Sequence, residues 1–126
     1  MRSLVVDDSR TMRSILGRQL KALGFEVVEA EHGRDALDKL PSAGPIDLAL
    51  VDWNMPEMDG PTLIRAMRAD PRWADTPIMM VTSEADLSSV GKAIGFGANE
   101  YMIKPFDKDS LLLKLQSMGL APGTEA

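Results

Sequence analysis

Leu48-Ala49-Leu50-Val51 is an unbroken apolar run, and the acid Asp52 follows it directly. A strand with one face in water alternates apolar and polar residues, whereas a strand that is covered on both faces does not. The run therefore predicts a central strand of a parallel sheet, with a carboxylate at the carboxyl end of that strand.

Four similar apolar runs lie before and after this one, and amphipathic stretches separate them. The predicted strands cover residues 4–6, 25–30, 48–51, 78–81 and 101–103. The predicted helices cover residues 9–23, 33–40, 60–70, 84–96 and 108–118. This alternation predicts an α/β fold, a doubly wound five-stranded parallel sheet with helices on both faces.

Length, charge and composition narrow the class of protein. The chain has 126 residues, a net charge of −5 and no cysteine. We expect one domain over residues 1–120 and a flexible tail over residues 121–126. The lack of cysteine excludes disulfides and thiolate metal sites, and the acidic charge disfavours direct nucleic-acid binding. No apolar run approaches the roughly 20 residues that span a bilayer, so we expect no membrane insertion and a cytoplasmic protein.

Polar residues stand where the predicted strands end. They are Asp7 and Asp8, Asp52, Thr82 and Ser83, and Lys104. The carboxyl ends of parallel strands share one edge, where open α/β sheets bind ligands. Three carboxylates at that edge repel one another unless positive charge compensates, and hard oxygen ligands favour Mg²⁺ as the source of that charge. A carboxylate beside such an ion can attack phosphorus and become an aspartyl phosphate.

Four motifs resemble the receiver domain of two-component response regulators, and together they extend over nearly the whole chain. They are Val-Val-Asp-Asp at 5–8, the segment 52–60, Val-Thr-Ser-Glu-Ala at 81–85 and Tyr-Met-Ile-Lys-Pro-Phe at 101–106. Asp-Trp-Asn-Met-Pro at 52–56 and Thr-Met-Arg at 11–13 are similar to the CheY branch of that family, which serves chemotaxis. The resemblance implies a flavodoxin/CheY-like sheet with strand order 2-1-3-4-5.

The resemblance also implies a metal-assisted phosphorylation site. Asp52 would be the phosphoacceptor and would face a bound Mg²⁺. Asp8 would bind the ion directly, Asp7 through a water molecule, and Asn54 through its backbone carbonyl.

A further group of residues would receive the phosphoryl group and pass on the signal. By the same resemblance, the Thr82 hydroxyl and the Ser83 N–H would bind phosphoryl oxygens, and Lys104 would pair with the phosphoryl group. Ser83 departs from the family, which often has alanine there. Tyr101 would be the aromatic residue that moves inward on activation. The Lys104–Pro105 peptide would be cis.

The implied partners are a histidine kinase as phosphodonor and a downstream protein. A flagellar motor switch, a phosphate-sink role and control of another enzyme all remain open as outputs, and we expect a monomer.

The enzyme alternative is a phosphatase of the haloacid dehalogenase type. That family requires a second aspartate, as acid/base, two residues after the nucleophile, where this chain has Asn54. A third alternative, a DNA-binding regulator, would need an output domain. A P-loop nucleotide enzyme is disfavoured, because the sequence has no glycine-rich segment that ends in Lys-Ser or Lys-Thr.

Several other residues receive structural predictions only. His32 precedes Gly33 in a predicted turn, and we expect it to be neither a metal ligand nor a catalytic base. Arg65 and Arg68 are predicted to form a solvated helix face, while the pattern assigns no role to Trp73. Glycines weaken the predicted helix over residues 84–96, so we expect its amides to exchange earlier than those of residues 9–23.

Overall fold

A computed structural model of the protein describes residues 1–53, 55–82, 94–104 and 107–120. Several predictions concern residues outside these ranges: the Asn54 and Ser83 contacts, most of the helix predicted over 84–96, the Lys104–Pro105 peptide and the tail over 121–126. They stay predictions.

The sheet has the predicted order and direction. Its strands are β1 (Arg2–Val6), β2 (Glu26–Ala30), β3 (Leu48–Asp52), β4 (Ile78–Thr82) and β5 (Glu100–Ile103). They lie in the order β2-β1-β3-β4-β5, and every neighbouring pair is parallel. β3 is central and all five of its residues are buried, as the unbroken apolar run predicted.

Four α-helices that the structure describes from end to end each follow a residue whose side chain caps them. They are α1 (Arg10–Ala22), α2 (Gly33–Lys39), α3 (Gly60–Ala69) and α4 (Lys108–Ser117). In each, the side chain before the helix accepts a hydrogen bond from the backbone N–H three residues later; the caps are Ser9, His32, Asp59 and Asp107. Each cap satisfies a backbone donor that the helix leaves unpaired. His32 therefore has a structural role, with Nδ1 3.1 Å from the Asp35 nitrogen.

Two apolar layers cover the two faces of the sheet. Ala49 and Val51 of β3 pack on the α2 and α3 side, with Leu63 and Ile64 of α3 among their partners. Leu48 and Leu50 pack on the other side, against a layer that contains residues of α1 and α4. Alternate residues of β3 thus pack in the two layers and hold the strand between them. Because all strands are parallel, their carboxyl ends lie at one edge of the sheet. Among the described residues, no helix is long and apolar enough to cross a membrane.

The prediction that Arg68 lies on a solvated face of α3 is wrong. Its guanidinium donates to the carbonyls of Gly97, Trp73 and Ala74 at 2.9, 3.0 and 3.1 Å, and to Asn99 Oδ1 at 2.8 Å. Arg68 therefore joins α3 to the segment before β4 and to the segment before β5. The prediction failed because three of the four acceptors are backbone carbonyls, which a pattern of side chains does not reveal. Trp73, which had no predicted role, is buried in the α2 and α3 layer.

Arg68→Met should lower the free energy of unfolding by about 2 kcal/mol, because it leaves several partly buried acceptors without their donor. Arg65→Met is the matched control. Its guanidinium lies 5.0 Å from the centroid of the Phe96 ring and is exposed, so its loss should cost only about 0.5 kcal/mol. Urea unfolding measures both variants, and equal losses would contradict the assignment of Arg68 as the anchor.

Candidate functional site

Three carboxylates meet at the carboxyl edge of the sheet. Asp7 and Asp8 directly follow β1, and Asp52 is the last residue of β3. Each offers an oxygen atom, and these atoms all lie within 4.8 Å of one another. Asp7 and Asp52 are only 1% and 8% exposed, whereas Asp8 is open to solvent. The neighbouring β1 and β3 thus build the predicted acidic cleft.

Asp7 is held through all of its polar groups. Its N–H donates to the Ala30 carbonyl at 3.1 Å, and its own carbonyl accepts from Arg13 Nη1 at 2.7 Å. Oδ1 accepts from the Ser9 N–H at 2.9 Å, and Oδ2 accepts from Lys104 Nζ at 2.8 Å. This carboxylate is therefore fixed in one orientation towards the cleft.

Lys104 supplies the positive charge of the cleft. Its ammonium lies 2.8 Å from Asp7 Oδ2 and 3.4 Å from Asp52 Oδ1. The backbone N–H of Lys104 donates to the Thr82 carbonyl at 2.7 Å, which extends the pairing of β4 and β5 to this point. The residue after β5 thus brings a cation to two acids that follow β1 and end β3.

The environment of Asp52 disfavours its charged form. Burial and the negative charge of Asp7 raise the pKa of Asp52, the contact with Lys104 opposes the rise, and the result is a pKa of about 6. Like charges at this distance need a counter-charge beyond one ammonium. An all-oxygen donor set with one solvent-facing member suits a hard divalent cation such as Mg²⁺. The residues present therefore fit the predicted ion.

The loop after Asp52 is pinned to the starts of two helices. The Gly60 N–H at the start of α3 donates to the Trp53 carbonyl at 3.0 Å. The Gly33 N–H at the start of α2 donates to the Met58 carbonyl at 3.2 Å. Both glycines allow a close backbone approach, since a Cβ atom at either position would collide with the loop. Glu57 in between has φ of 65°, in the left-handed region.

The remaining predicted residues occupy the neighbouring strand ends. Thr82 is the last residue of β4 and is buried. Tyr101 lies on β5 opposite Met80, and its half-buried ring packs against the α2 and α3 layer. Lys114 Nζ lies 4.6 Å from the centroid of the Tyr101 ring. The described cleft therefore unites Asp7, Asp8, Asp52 and Lys104, with Thr82 at its border; the roles predicted for these residues are taken up below.

Arg13 belongs to the surroundings of the cleft and had no predicted role there. Its side chain is 11% exposed and lies on the buried stripe of α1, three residues before Leu16 and seven before Leu20. A cation in register with buried leucines was the available signal, because such a residue needs a partner inside the protein.

The strand order and the helices on both faces define a doubly wound α/β protein. Its charged site lies where the strand order reverses, with acids at the ends of the adjacent strands β1 and β3 and a lysine after the edge strand β5. Residues 3–116 match the family model described as the response regulator receiver domain, and the chain belongs to this family.

Individual relatives agree with that assignment. Chemotaxis protein CheY1 of Helicobacter pylori is 45% identical over 117 residues, which cover 92% of this chain and 94% of the relative. The CheY homologue of Campylobacter jejuni is 44% identical over 119 residues, which cover 94% and 92%. The structure of chemotaxis protein CheY4 from Vibrio cholerae matches with a TM-score of 0.86 at 35% identity and covers 92% of this chain and 96% of that one.

Proposed function

We propose that the protein is a single-domain response regulator of chemotaxis or motility, which accepts a phosphoryl group from a histidine kinase on Asp52 and then binds a downstream protein. The observation that carries the proposal is the placement of the Lys104 ammonium against both Asp7 and Asp52 within the three-acid cleft. The chemotaxis setting rests on the similarity to CheY proteins. The receiver domain would take up residues 1–120, and a cytoplasmic, monomeric protein stays a prediction.

The proposed step is a transfer between a nitrogen and an oxygen. An Asp52 oxygen attacks the phosphorus of a phosphohistidine, an O–P bond forms, the N–P bond breaks, and its electron pair stays on the imidazole. With a pKa of about 6, the Asp52 carboxyl is mostly ionised at neutral pH and able to attack. Lys104 then exchanges its contact with Asp52 for one with a phosphoryl oxygen. The Thr82 hydroxyl and the Ser83 N–H would bind the other phosphoryl oxygens.

Mg²⁺ would be held by Asp7, Asp8 and Asp52, with the Asn54 carbonyl as the further ligand that the family resemblance implies. When bound, it supplies charge that neutralises phosphoryl oxygens. The same surroundings would let the protein assist the later hydrolysis of its own aspartyl phosphate, without making it an enzyme for other substrates.

The proposal is tested by incubation with acetyl phosphate, with Mg²⁺ or with EDTA. We expect an acyl phosphate that forms only with Mg²⁺ and that borohydride reduction and peptide mass spectrometry locate at Asp52. Labelling at another residue, or labelling that EDTA leaves unchanged, would contradict the proposed site. Steady turnover of a generic phosphomonoester would favour the phosphatase alternative instead.

Lys104→Met distinguishes the role of the Lys104 ammonium from that of the proposed Mg²⁺. We expect this variant to bind Mg²⁺ more tightly, because the ammonium that competes for Asp7 and Asp52 is gone. Its phosphorylation rate should nevertheless fall by at least about tenfold, because no side chain replaces the contact with the phosphoryl group. Lys108→Met, at an exposed position in α4, is the charge-matched control. Calorimetric titration of Mg²⁺ checks the first expectation, and weaker binding by Lys104→Met would refute it.

The proposed switch runs from Thr82 to Tyr101. The Thr82 hydroxyl would follow a phosphoryl oxygen, and Tyr101 lies on the adjoining strand β5. Tyr101 is the only tyrosine of the chain, so its ring signals in an NMR spectrum are unambiguous. Phosphorylation should shift these signals in the parent protein and in a Thr76→Ala control, but much less in Thr82→Ala. A full shift in Thr82→Ala would remove the coupling from the mechanism.

A further inference from the structure

We propose that Arg13 is a positioning residue for the metal site, because it fixes the peptide unit that joins Asp7 to Asp8. The inference rests on the proposed function, since it concerns the affinity of that site for Mg²⁺. It adds a residue from the buried side of α1 to those that determine the geometry of the cleft.

The burial of Arg13 requires strong partners. Its side chain is 11% exposed, and a buried guanidinium is costly unless it is paired and hydrogen-bonded. Nη1 donates to the Asp7 carbonyl at 2.7 Å, and Nε lies 3.3 Å from Glu29 Oε1. The Glu29 side chain is 50% exposed, so solvent weakens that ion pair. The contact with the Asp7 carbonyl is the shorter and more buried of the two.

The Asp7 carbonyl lies where the strand pairing of β1 stops. The Asp7 N–H still pairs with the Ala30 carbonyl of β2, whereas the Asp7 carbonyl is met by the guanidinium. The peptide bond is planar, so holding this carbonyl also holds the nitrogen of Asp8. Arg13 thereby holds the peptide plane from which the Asp8 side chain starts, and it limits the positions that the Asp8 carboxylate can take.

Asp8 depends on this backbone support more than Asp7 does. The Asp7 carboxylate is fixed by the Ser9 N–H and by Lys104. The Asp8 carboxylate is exposed, and within the described parts of the chain no hydrogen bond or ion pair holds it. An octahedral ion such as Mg²⁺ tolerates little misplacement of a direct ligand. A change that frees the peptide between Asp7 and Asp8 should therefore weaken Mg²⁺ binding.

A purely structural role for Arg13 makes a different prediction. If Arg13 only ties α1 to β2 through Glu29, then loss of either partner lowers the free energy of unfolding and leaves the affinity for Mg²⁺ unchanged. If Arg13 positions Asp8, then Arg13→Met lowers the affinity for Mg²⁺ and Glu29→Gln does not.

The test is calorimetric titration of the metal-free protein with Mg²⁺, supported by urea unfolding in EDTA for each variant. Arg13→Met should bind Mg²⁺ about tenfold more weakly than the parent, the size of effect seen when the support of a metal ligand is removed. Arg13→Lys, which keeps the charge and can still donate from its ammonium, should recover part of the loss. Glu29→Gln and the exposed control Arg18→Met should stay close to the parent. Should Arg13→Met not fold, Arg13→Gln carries the same expectation, because its shorter amide does not reach the carbonyl.

Unchanged affinity in Arg13→Met, or an equal loss in Glu29→Gln, would overturn the inference while the proposed function stands. A parent protein that binds no Mg²⁺ at all would overturn the proposed metal site, and this inference with it. The two failures are therefore distinguishable in one set of titrations.

Discussion

Asp52→Asn is expected to accept no phosphoryl group from acetyl phosphate and, in EDTA at neutral pH, to unfold at a higher urea concentration than the parent. The first effect follows because an amide is not a nucleophile for phosphorus, and the second because a buried acid that is repelled by Asp7 has been removed. Borohydride labelling and urea titration measure the two effects on the same sample. Labelling that persists in Asp52→Asn would move the phosphoacceptor to another residue.

The gain in stability should depend on pH in a defined direction. The pKa of Asp52 rises from 3.8 to about 6, so the folded state holds the proton more tightly than the unfolded state does. The contribution of Asp52 to the free energy of unfolding is therefore present below about pH 4 and is lost as the pH rises to about 6. This shift corresponds to at most about 3 kcal/mol. Solvent screening in the open cleft reduces it to about 1–2 kcal/mol.

Asp52→Asn should thus exceed the parent in stability above about pH 6 and match it below about pH 4. Asp38→Asn, at an exposed position of α2, makes the same change in net charge and should show no such window. Addition of Mg²⁺ should reverse the ranking, because the ion stabilises the protein that binds it better. A gain in Asp52→Asn that is independent of pH would show that repulsion in the cleft is not its cause.

Gly60→Ala is expected to lower the free energy of unfolding by about 3 kcal/mol and to impair phosphorylation as well. A Cβ atom at Gly60 would collide with the backbone carbonyl of Asp52 and lie 3.2 Å from the Trp53 Cα. These are backbone atoms at the end of β3, so they cannot turn aside as a flexible side chain would. The start of α3 must instead move away from Asp52, the proposed phosphoacceptor.

Gly95→Ala is the matched control for this substitution. No atom of the described residues lies within 4 Å of a Cβ atom at Gly95, and Gly95 is helical. It should therefore be neutral or stabilise by up to about 1 kcal/mol. Urea unfolding and acetyl phosphate labelling measure both variants. Equal stability of Gly60→Ala and the parent would show that the close approach of α3 to the end of β3 does not limit the residue at position 60.

The predictable parts of the fold are those in which the type of side chain, apolar or charged, depends on its place in a strand or at a strand end. The unbroken run over 48–51 placed β3 at the centre of the sheet, and the acids at the ends of β1 and β3 came together in one cleft. Arg13 had no predicted contact and the solvated position predicted for Arg68 is wrong, because the main partners of both side chains are backbone carbonyls. A carbonyl is present in every residue, so its use as an acceptor leaves no mark in the sequence.

The cap formed by His32 was missed for a related reason. Histidine is a less usual cap than serine, threonine, aspartate or asparagine, so the residue before Gly33 was interpreted as part of a turn. Asp107, which caps α4, belongs to the usual set. An aspartate cap follows the general preference for such residues, whereas the His32 cap depends on the local position of the Asp35 N–H.

The contact between Lys104 and Asp7 joins residues that are 97 positions apart in the chain. During synthesis, the acids of the cleft leave the ribosome long before the lysine that balances them. A chain interrupted before β5 would also expose the edge of β4, a strand whose five residues are all buried in the finished protein. The charged cleft is therefore complete only once Lys104 has been made, and under the proposed function a shorter product would lack the cation that contacts the phosphoryl group.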